Sequence, residues 1–309
     1  MDGILNIKKP QGMTSFGTVA AVKRLTGQRR VGHAGTLDPE ATGVLPICLG
    51  KGTKVTKFLA DTTKVYRAEI ELGRATDTYD ASGRTTQRGD PSGISQEQFK
   101  AALVAFQGQR QQTPPMFSAV KYRGKRLYEL ARAGIEVERS SRPVRIDRLE
   151  LTDWQSPLAT VEVVCGKGTY IRSLAHDLGQ VLGCGASLRS LVRLRCGLFD
   201  IRDAVSLTQL EDAARYGYWH KLVYPIDIAF LDWAAIVVSE TTEQQVRNGQ
   251  ALLLGPQASD RETTFSQEPS SVGSPPQDHC RVYDLDGCFL GVLRFHPESS
   301  SWHPEKLFR

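Results

Sequence analysis

The segment 64–72, KVYRAEIEL, has an apolar side chain at every second position from Tyr66 to Leu72. Because successive side chains of a strand point to opposite faces, this spacing predicts a half-buried strand with Tyr66 on its apolar face. Further strands are predicted at 143–151 and 158–165, and helices are interspersed without a regular strand–helix–strand alternation. The sequence therefore predicts an α+β fold with a mainly antiparallel mixed sheet flanked by helices.

Two of the predicted helices have recognisable start signals. The first runs from Ser15, as N-cap, to Gly27. The second runs from Thr169, as N-cap, to Leu182, with apolar residues spaced by three and four positions. Its first turn carries Arg172, a cation near the positive end of the helix dipole.

Charge is divided unevenly along the chain, which at 309 residues is long enough for two domains. Residues 233–309 contain six Lys and Arg against ten Asp and Glu, so that the net charge is −4 there and +9 over residues 1–232. We predict a large domain over 1–232 that attracts polyanions, and a small β-rich domain over 233–309. Within the small domain, residues 256–278 are rich in Pro, Ser, Gln and acid and predict a disordered loop.

Several classes of protein are disfavoured by what the sequence lacks. No apolar run approaches the roughly 18 residues that span a membrane. The start, MDGILNIKKP, has no basic stretch followed by a long apolar core, so a cytoplasmic protein is expected. None of the six cysteines forms a C-x-x-C pair and no histidines show H-E-x-x-H spacing, so no disulfide framework and no metal site is predicted.

The loop 32–43, GHAGTLDPEATG, gives the densest chemical signal. Its three glycines permit bends that other residues resist and let a ligand approach closely. Asp38 precedes Pro39, which biases its backbone toward extended geometry and restricts the direction of its carboxylate. Taken alone, the same residues are also those of an ordinary turn.

Arg172 and Tyr66 each have a functional and a plain interpretation. An arginine in the first turn of a helix is explained by an anion opposite it, phosphate or carboxylate, or by a side chain that extends into water. A tyrosine on the apolar face of a strand is usually a core residue with a satisfied hydroxyl.

A longer pattern resembles the bacterial tRNA pseudouridine-55 synthases, the TruB family. The segment GHAGTLDPEATGVLPICLGKGTK resembles the signature of that family, and KKPQGMTS, KVYRAEIELGRATDTYDASG, QTPPMFSAVKYRGKRLYELARAG, RPVRI, CGKGTYIRSLAHDLG and LRSLVRLRCG occur in the family's order. The resemblance covers roughly residues 3–230. The β-rich end is similar to the PUA domain that often follows this catalytic domain, although less closely.

The resemblance implies a role for each matching residue. Asp38 is expected to be the catalytic aspartate and Arg172 to pair with it. Tyr66 is expected to line the pocket, either stacking on the flipped base or taking part in proton transfer. The remaining implied pocket and RNA-contacting residues are Tyr170, Leu191 and His33, although His33 is also compatible with a structural loop histidine.

The implied reaction isomerises uridine 55 in the T-loop of tRNA to pseudouridine. It breaks the N1–C1′ bond and forms a C5–C1′ bond without oxidation, so no cofactor is expected. The target base must leave its stack, which costs a few kcal/mol. Basic residues on both sides of the Asp38 loop are expected to hold phosphates: Arg29, Arg30, Lys51, Lys54 and Lys57. An RNA-contacting insertion is expected near 108–142, with the tRNA T-loop and acceptor end as partner and no obligatory protein partner.

Three other interpretations remain open on the sequence. One is a non-catalytic RNA-binding or RNA-folding protein. A second is a glycosidase-like hydrolase with paired carboxylates, in which Asp77 or Asp80 would partner Asp38. A third is a related synthase with another RNA target, such as the guide-dependent archaeal and eukaryotic relatives. The reaction intermediate and the oligomeric state are not predicted.

Overall fold

The computed structural model describes residues 1–253, 265–266 and 278–308, so most of the predicted disordered loop 256–278 lies outside the described residues. The chain divides into two compact units, Gly3–Val223 together with Met1, and Tyr224–Arg309 together with Asp2. The sequence places the corresponding boundary a little later, between 232 and 233.

The first unit is built around one mixed sheet. Its long strands follow the order β1-β3-β12-β4-β11-β10-β7, and of these neighbours only β3 and β12 run parallel. The predicted α+β fold with a mainly antiparallel sheet is therefore confirmed. The strands of this unit are β1 Gly3–Lys9, β2 Val31–His33, β3 Thr42–Leu49, β4 Lys64–Leu72, β5 Arg74–Thr76, β6 Thr85–Arg88, β7 Gly108–Gln112, β8 Lys121–Tyr122, β9 Lys125–Arg126, β10 Arg142–Gln155, β11 Leu158–Cys165, β12 Ala186–Cys196, β13 Phe199–Asp200, β14 Val205–Ser206 and β15 Val223–Tyr224.

Helices of the first unit pack on this sheet. They are α1 Ser15–Thr26, α2 Thr56–Asp61, α3 Gln96–Val104, α4 Leu127–Arg132, α5 Ile171–Val181 and α6 Leu207–Arg215. Apolar residues of α5 and α1 join the inward side chains of β4 and β12 in one core. On β4 the predicted apolar face from Tyr66 to Leu72 is buried. Burying each such aliphatic side chain stabilises the fold by about 1.5–3 kcal/mol.

Both predicted N-caps were wrong by one residue. Thr14, not Ser15, caps α1 by accepting a hydrogen bond from the Gly17 amide. Helix α5 is preceded by Tyr170, and the Thr169 hydroxyl instead donates to the Gly166 carbonyl. At α1 the neighbouring Thr14 and Ser15 hydroxyls compete for the same backbone donors, so sequence alone does not decide which of them caps the helix. At α5 no side chain caps the helix, and its start differs from the predicted one by a single residue.

The second unit has its own small sheet and core. The strands follow the order β17-β16-β18-β19-β20, and β16 and β18 run parallel. Their bounds are β16 Ala234–Val237, β17 Phe265–Ser266, β18 His279–Tyr283, β19 Phe289–His296 and β20 Ser301–Leu307, with helix α7 at Glu240–Arg247. Ile236, Val246, Val282 and Leu293 are buried at its centre. Within the described parts of both units, no helix has the length and apolar character needed to cross a membrane.

Candidate active site

The loop that carries Asp38 is held at several points by the start of the chain. The Ser15 hydroxyl donates to the Leu37 carbonyl over 3.0 Å and accepts from the Leu37 amide over 2.8 Å. The Pro39 carbonyl accepts from the Gly12 amide. These bonds fix the backbone on both sides of Asp38, so that its carboxylate is presented from a restrained turn.

Arg172 contacts that carboxylate through two nitrogens. Nε lies 2.9 Å from one oxygen of Asp38, and Nη2 donates to the other over 3.0 Å. The arginine side chain is 6% exposed and the aspartate side chain 39% exposed, so the buried cation supports a carboxylate that is open on its other side. These two parallel, charge-assisted hydrogen bonds fix the orientation of the Asp38 carboxylate.

The remaining hydrogen bonds of Arg172 go to two loops. Nη2 also donates to the Phe117 carbonyl over 3.0 Å, and Nη1 donates to the Thr78 carbonyl over 3.4 Å. These acceptors, with the Asp38 carboxylate, explain how a cation is tolerated at the N-terminal end of α5. Arg172 therefore joins α5, the Asp38 loop and two further segments at one point.

A second carboxylate, Asp80, lies at the edge of this cluster. Its Oδ2 is 3.9 Å from Nη1 of Arg172, while its Oδ1 accepts from the Thr78 hydroxyl and the Ser82 amide. Asp77 instead accepts from the Arg84 amide in the turn between β5 and β6. Of the two acids considered as partners of Asp38, only Asp80 has a contact with Arg172 among the described residues.

Lys9 is a site residue that the sequence reasoning missed. Its ammonium has no exposed surface and donates to the carbonyls of Pro10, Met13 and Pro39 at 2.5–3.0 Å. Burial lowers the pKa of Lys9 to about 8, against the opposing effect of the nearby Glu40 and Asp38 charges. The signal that could have found it is a lysine placed at the end of an apolar strand, within the KKP motif.

Arg193 was also missed, and it lies beside Tyr66. The two residues are paired across β12 and β4, and Arg193 is 1% exposed. Its Nε donates to the Val44 carbonyl over 2.6 Å and its Nη2 to the Gly35 carbonyl over 3.2 Å. Arg193 stands two residues after Leu191, and this spacing places both on the inward face of the strand.

Tyr66 is buried on β4, as its alternating pattern predicted. Burial raises the pKa of Tyr66 to about 12, and the neighbouring Arg193 opposes that shift only in part. The phenol is consequently neutral near pH 7 and is a poor proton acceptor.

The three other predicted pocket residues lie on β12, on β2 and directly before α5. Tyr170 precedes α5, where its amide and carbonyl are both bound by the Gln112 side chain. Burial is the main cause that raises the pKa of the Tyr170 phenol. Leu191 is buried in the core on β12. Burial, followed by the Arg193 charge, lowers the pKa of His33 on β2, which favours a neutral imidazole.

The five predicted phosphate-binding residues lie away from the carboxylate. The Gly50 amide donates to the Arg30 carbonyl, which brings Arg29 and Arg30 next to the turn and helix carrying Lys51, Lys54 and Lys57. The five residues lie at one end of the β2–β3 hairpin, and the loop that carries Asp38 lies at the other end. Strand β3 has eight residues, so roughly 20 Å separate its two ends. These cations form a separate basic surface rather than a ring around Asp38.

The predicted insertion 108–142 begins at the edge strand of the main sheet and carries exposed basic side chains together with half-buried aromatic ones. It consists of β7, the β8–β9 hairpin and α4. Arg123 lies over the ring of Tyr122 and Arg132 over that of Tyr128, at 5.4 and 5.5 Å. It reaches the site through the Phe117 carbonyl, which accepts from Arg172.

The site offers a carboxylate with its paired guanidinium, and Arg193 links the buried Tyr66 phenol to the loop that carries Asp38. Within residues 1–253, 265–266 and 278–308, no group of three or more His, Cys, Asp or Glu side chains is arranged to hold a metal ion. The side chains present are suited to reactions that use one oxygen nucleophile or charge stabiliser.

Family models match most of the first unit. Residues 23–171 match the model described as TruB family pseudouridylate synthase (N terminal domain), and residues 172–230 match the tRNA pseudouridylate synthase B C-terminal domain.

Curated relatives extend over the whole chain. A tRNA pseudouridine synthase B of Dehalococcoides mccartyi is 44% identical over 100% of this chain and 97% of its own length. The protein of the same name from Geobacillus thermodenitrificans is 45% identical over 100% of both. That from Symbiobacterium thermophilum is 50% identical over 68% of this chain and 71% of its own length.

Solved structures share the fold of the chain. A Cbf5-Nop10-Gar1 complex contains a chain that is similar with a TM-score of 0.75 and 24% identity, covering 99% of this chain and 85% of that one. A chain of an H/ACA RNP bound to a substrate RNA containing 2′-deoxyuridine gives a TM-score of 0.73 at 22% identity, with 99% and 85% coverage. At these identities the likeness concerns the fold alone.

Proposed function

This chain belongs to the TruB family of pseudouridylate synthases, and from that premise we propose that it isomerises uridine 55 in the T-loop of tRNA to pseudouridine. Its membership rests on the two family models and on full-length relatives 44–45% identical to it. As the names of those relatives indicate, this chain is an isomerase that acts on uridine in tRNA. The position in tRNA and the residue roles are our proposals.

The observation that best supports the mechanism is that two nitrogens of Arg172, Nε and Nη2, contact the two carboxylate oxygens of Asp38. We assign Asp38 as the catalytic carboxylate. The guanidinium pairs with the carboxylate through charge-assisted hydrogen bonds and occupies one side of both oxygens. The other side is open, as the 39% exposure of the aspartate side chain indicates. In the free protein the aspartate thus lies at an open surface, and bound RNA would complete the enclosure around the reacting base.

We assign Tyr66 to the lining of the pocket that holds the base, and not to proton transfer. A buried phenol whose pKa is raised to about 12 is a poor proton acceptor near neutral pH. Its ring can stack on the detached uracil and keep it within reach of C1′ while it rotates. Of the two roles implied by the family resemblance, stacking is the one that this environment supports.

RNA binding is assigned to two basic surfaces of the first unit. The insertion 108–142 adjoins the site through Phe117, so it is placed to contact nucleotides around the flipped base. The cations near Arg30 and Gly50 are roughly 20 Å away along β3, which suits phosphates farther along the T-arm. The β-rich second unit is assigned as a PUA-like domain that contacts the acceptor end.

Mapping pseudouridine in a tRNA transcript incubated with the purified protein tests the function. We expect modification at position 55 without added cofactor, and Asp38→Asn should abolish it while tRNA binding is kept. Asp203→Asn, an exposed acid of the same unit, is the matched control and should behave like the wild type. Isomerisation retained by Asp38→Asn would remove Asp38 from its assigned role.

The same assay separates two rivals. The Asp80 carboxylate near Arg172 keeps a glycosidase-like hydrolase open as a second candidate, and that activity would release free uracil. Isomerisation leaves the mass of the RNA unchanged. A non-catalytic RNA-binding protein would bind tRNA and yield neither product.

A further inference from the structure

Tyr79, in the turn between β5 and β6, has a left-handed backbone conformation with φ of 64°. For a bulky side chain this conformation is unfavourable, so it persists only where surrounding contacts impose it. A glycine could adopt it freely, yet a tyrosine stands here. Such strained residues cluster at sites where backbone geometry serves a function.

Three contacts hold Tyr79 in this conformation, and the first is local, since its amide donates to the Thr76 carbonyl over 3.2 Å. Its carbonyl accepts from the Leu188 amide over 3.0 Å, which ties the turn to β12. Its ring stacks on His176 with centroids 3.8 Å apart and planes inclined by 11°. His176 follows Arg172 by four residues on α5, so both side chains project from the same face of that helix. The turn is therefore bound to α5 by a ring stack and by the Arg172 guanidinium.

The residues on either side of Tyr79 supply what Arg172 contacts in this turn. The Thr78 carbonyl accepts from Nη1 over 3.4 Å, and the Asp80 carboxylate lies 3.9 Å from the same nitrogen. A change in the backbone at Tyr79 would turn both groups away from the guanidinium. Arg172 would then lose its contacts with Thr78 and Asp80, and its two bonds to Asp38 would no longer be supported by them.

The environment of His176 suits this stack. Burial, with the nearby Arg139 charge, lowers the pKa of His176 and favours its neutral ring. A neutral imidazole packs flat on a phenol ring without adding a cation next to Arg172. Neither Tyr79 nor His176 was singled out by the sequence analysis.

We propose that Tyr79 is a positioning residue for Arg172, and that its stack on His176 holds the turn 78–80 in the geometry that orients the Asp38–Arg172 pair. The inference rests on the proposed function, because its effect is exerted through the catalytic carboxylate. It assigns no contact with RNA to Tyr79 itself.

Three substitutions of Tyr79 separate ring, backbone strain and hydroxyl. Tyr79→Ala removes the ring and keeps the strain, Tyr79→Gly removes both, and Tyr79→Phe keeps the ring. We expect the first two to lower the single-turnover rate at saturating tRNA by about tenfold to a hundredfold. The dissociation constant for tRNA should stay within about twofold, and Tyr79→Phe should keep most of the rate. Tyr216→Ala, an exposed tyrosine at the end of α6, is the matched control.

Substitutions of His176, whose ring stacks on Tyr79, provide an independent test. His176→Phe should preserve the rate and His176→Ala should lower it, and the double variant Tyr79→Ala/His176→Ala should be no slower than either single one. Melting curves followed by circular dichroism verify folding, and Tyr79→Gly stands in if Tyr79→Ala does not fold.

Three outcomes would overturn the inference. They are wild-type rates in Tyr79→Ala and Tyr79→Gly, a loss in Tyr79→Phe as large as that in Tyr79→Ala, and weakened tRNA binding with an unchanged rate at saturation. Absence of pseudouridine with the wild-type protein would instead refute the proposed function, so the two failures are distinguishable.

Discussion

Lys9 illustrates how a single buried charge organises the loop before β3. Its three acceptors are carbonyls from residues 10, 13 and 39, so one ammonium joins the end of β1 to the peptide that follows Asp38. Such a cation is expensive to bury, since water is removed from a full charge. The lowered pKa of Lys9 reflects that cost.

The sign of this shift gives a prediction for stability. The pKa of Lys9 is about 8 in the folded protein and 10.5 as its ordinary value. Between these values the unfolded chain binds more protons, so the contribution of Lys9 to stability rises with pH. We expect the free energy of unfolding of the wild type, relative to Lys9→Met, to grow by about 2 kcal/mol between about pH 7.5 and pH 10.

Urea denaturation of both proteins at several pH values measures this difference. Lys23→Met, an exposed lysine on α1, is the control and should show no such growth. A difference between wild type and Lys9→Met that shrinks as pH rises would contradict the assignment.

The contact between β3 and β12 sets the geometry of the site at the level of elements. Gly43 on β3 faces Arg193 on β12, and a Cβ at Gly43 would lie 2.2 Å from the Arg193 carbonyl oxygen. The φ of Gly43 is +103°, which other residues rarely adopt. Only glycine lets these two parallel strands approach closely enough for Arg193 to reach Val44 and Gly35.

Gly43→Ala should therefore destabilise the first unit by at least about 2 kcal/mol, because strain and a backbone clash act together. Gly134→Ala is the matched comparison, since Gly134 has a φ of +72° but no atom within 4 Å of the position that a Cβ would occupy. It should cost about 1 kcal/mol from strain alone. Thermal melting measures both, and equal losses would show that close strand approach is not the cause.

The elements also show what the sequence could and could not predict. The alternating pattern of β4 placed Tyr66 inward, because that signal is local. The glycine-rich loop alone was also that of an ordinary turn, and the catalytic role of Asp38, which the family resemblance implied, stays a prediction. Lys9 and Arg193 were missed because their roles depend on contacts with distant carbonyls. The cap at Ser15 was wrong because the adjacent Thr14 has an equivalent hydroxyl, and that of Ser15 is bound by the Leu37 backbone instead. The cap at Thr169 was wrong because its hydroxyl donates to the Gly166 carbonyl and α5 has no side-chain cap.

At the scale of the whole molecule, the two units differ in charge and have separate cores. Residues 233–309 carry a net charge of −4 against +9 before them. Phe230, fully buried, contacts Trp233 and Phe289, so the last residues before 233 contribute to the core of the second unit. A domain boundary after Val223 keeps Phe230 in the same unit as Trp233 and Phe289, whereas a boundary after residue 232 separates Phe230 from both.

Removal of residues 224–309 should weaken tRNA binding and leave the single-turnover rate at saturation within about threefold, because the residues assigned to the reaction all lie in the first unit. Truncation after 232 should give a less soluble protein, since Phe230 would be exposed. Size-exclusion chromatography and single-turnover assays test both. Complete loss of turnover in a folded 1–223 protein would assign part of the chemistry to the second unit.

Asp38 and Arg172 are 134 positions apart in the sequence, and they meet only in the folded first unit. Their contact closes a long loop and requires the strands between them to be in place. A nascent chain that ends before α5 has the aspartate without its counterion. If Asp38 and Arg172 act as proposed, a form that lacks α5 is inactive, and activity reports on completion of the first unit.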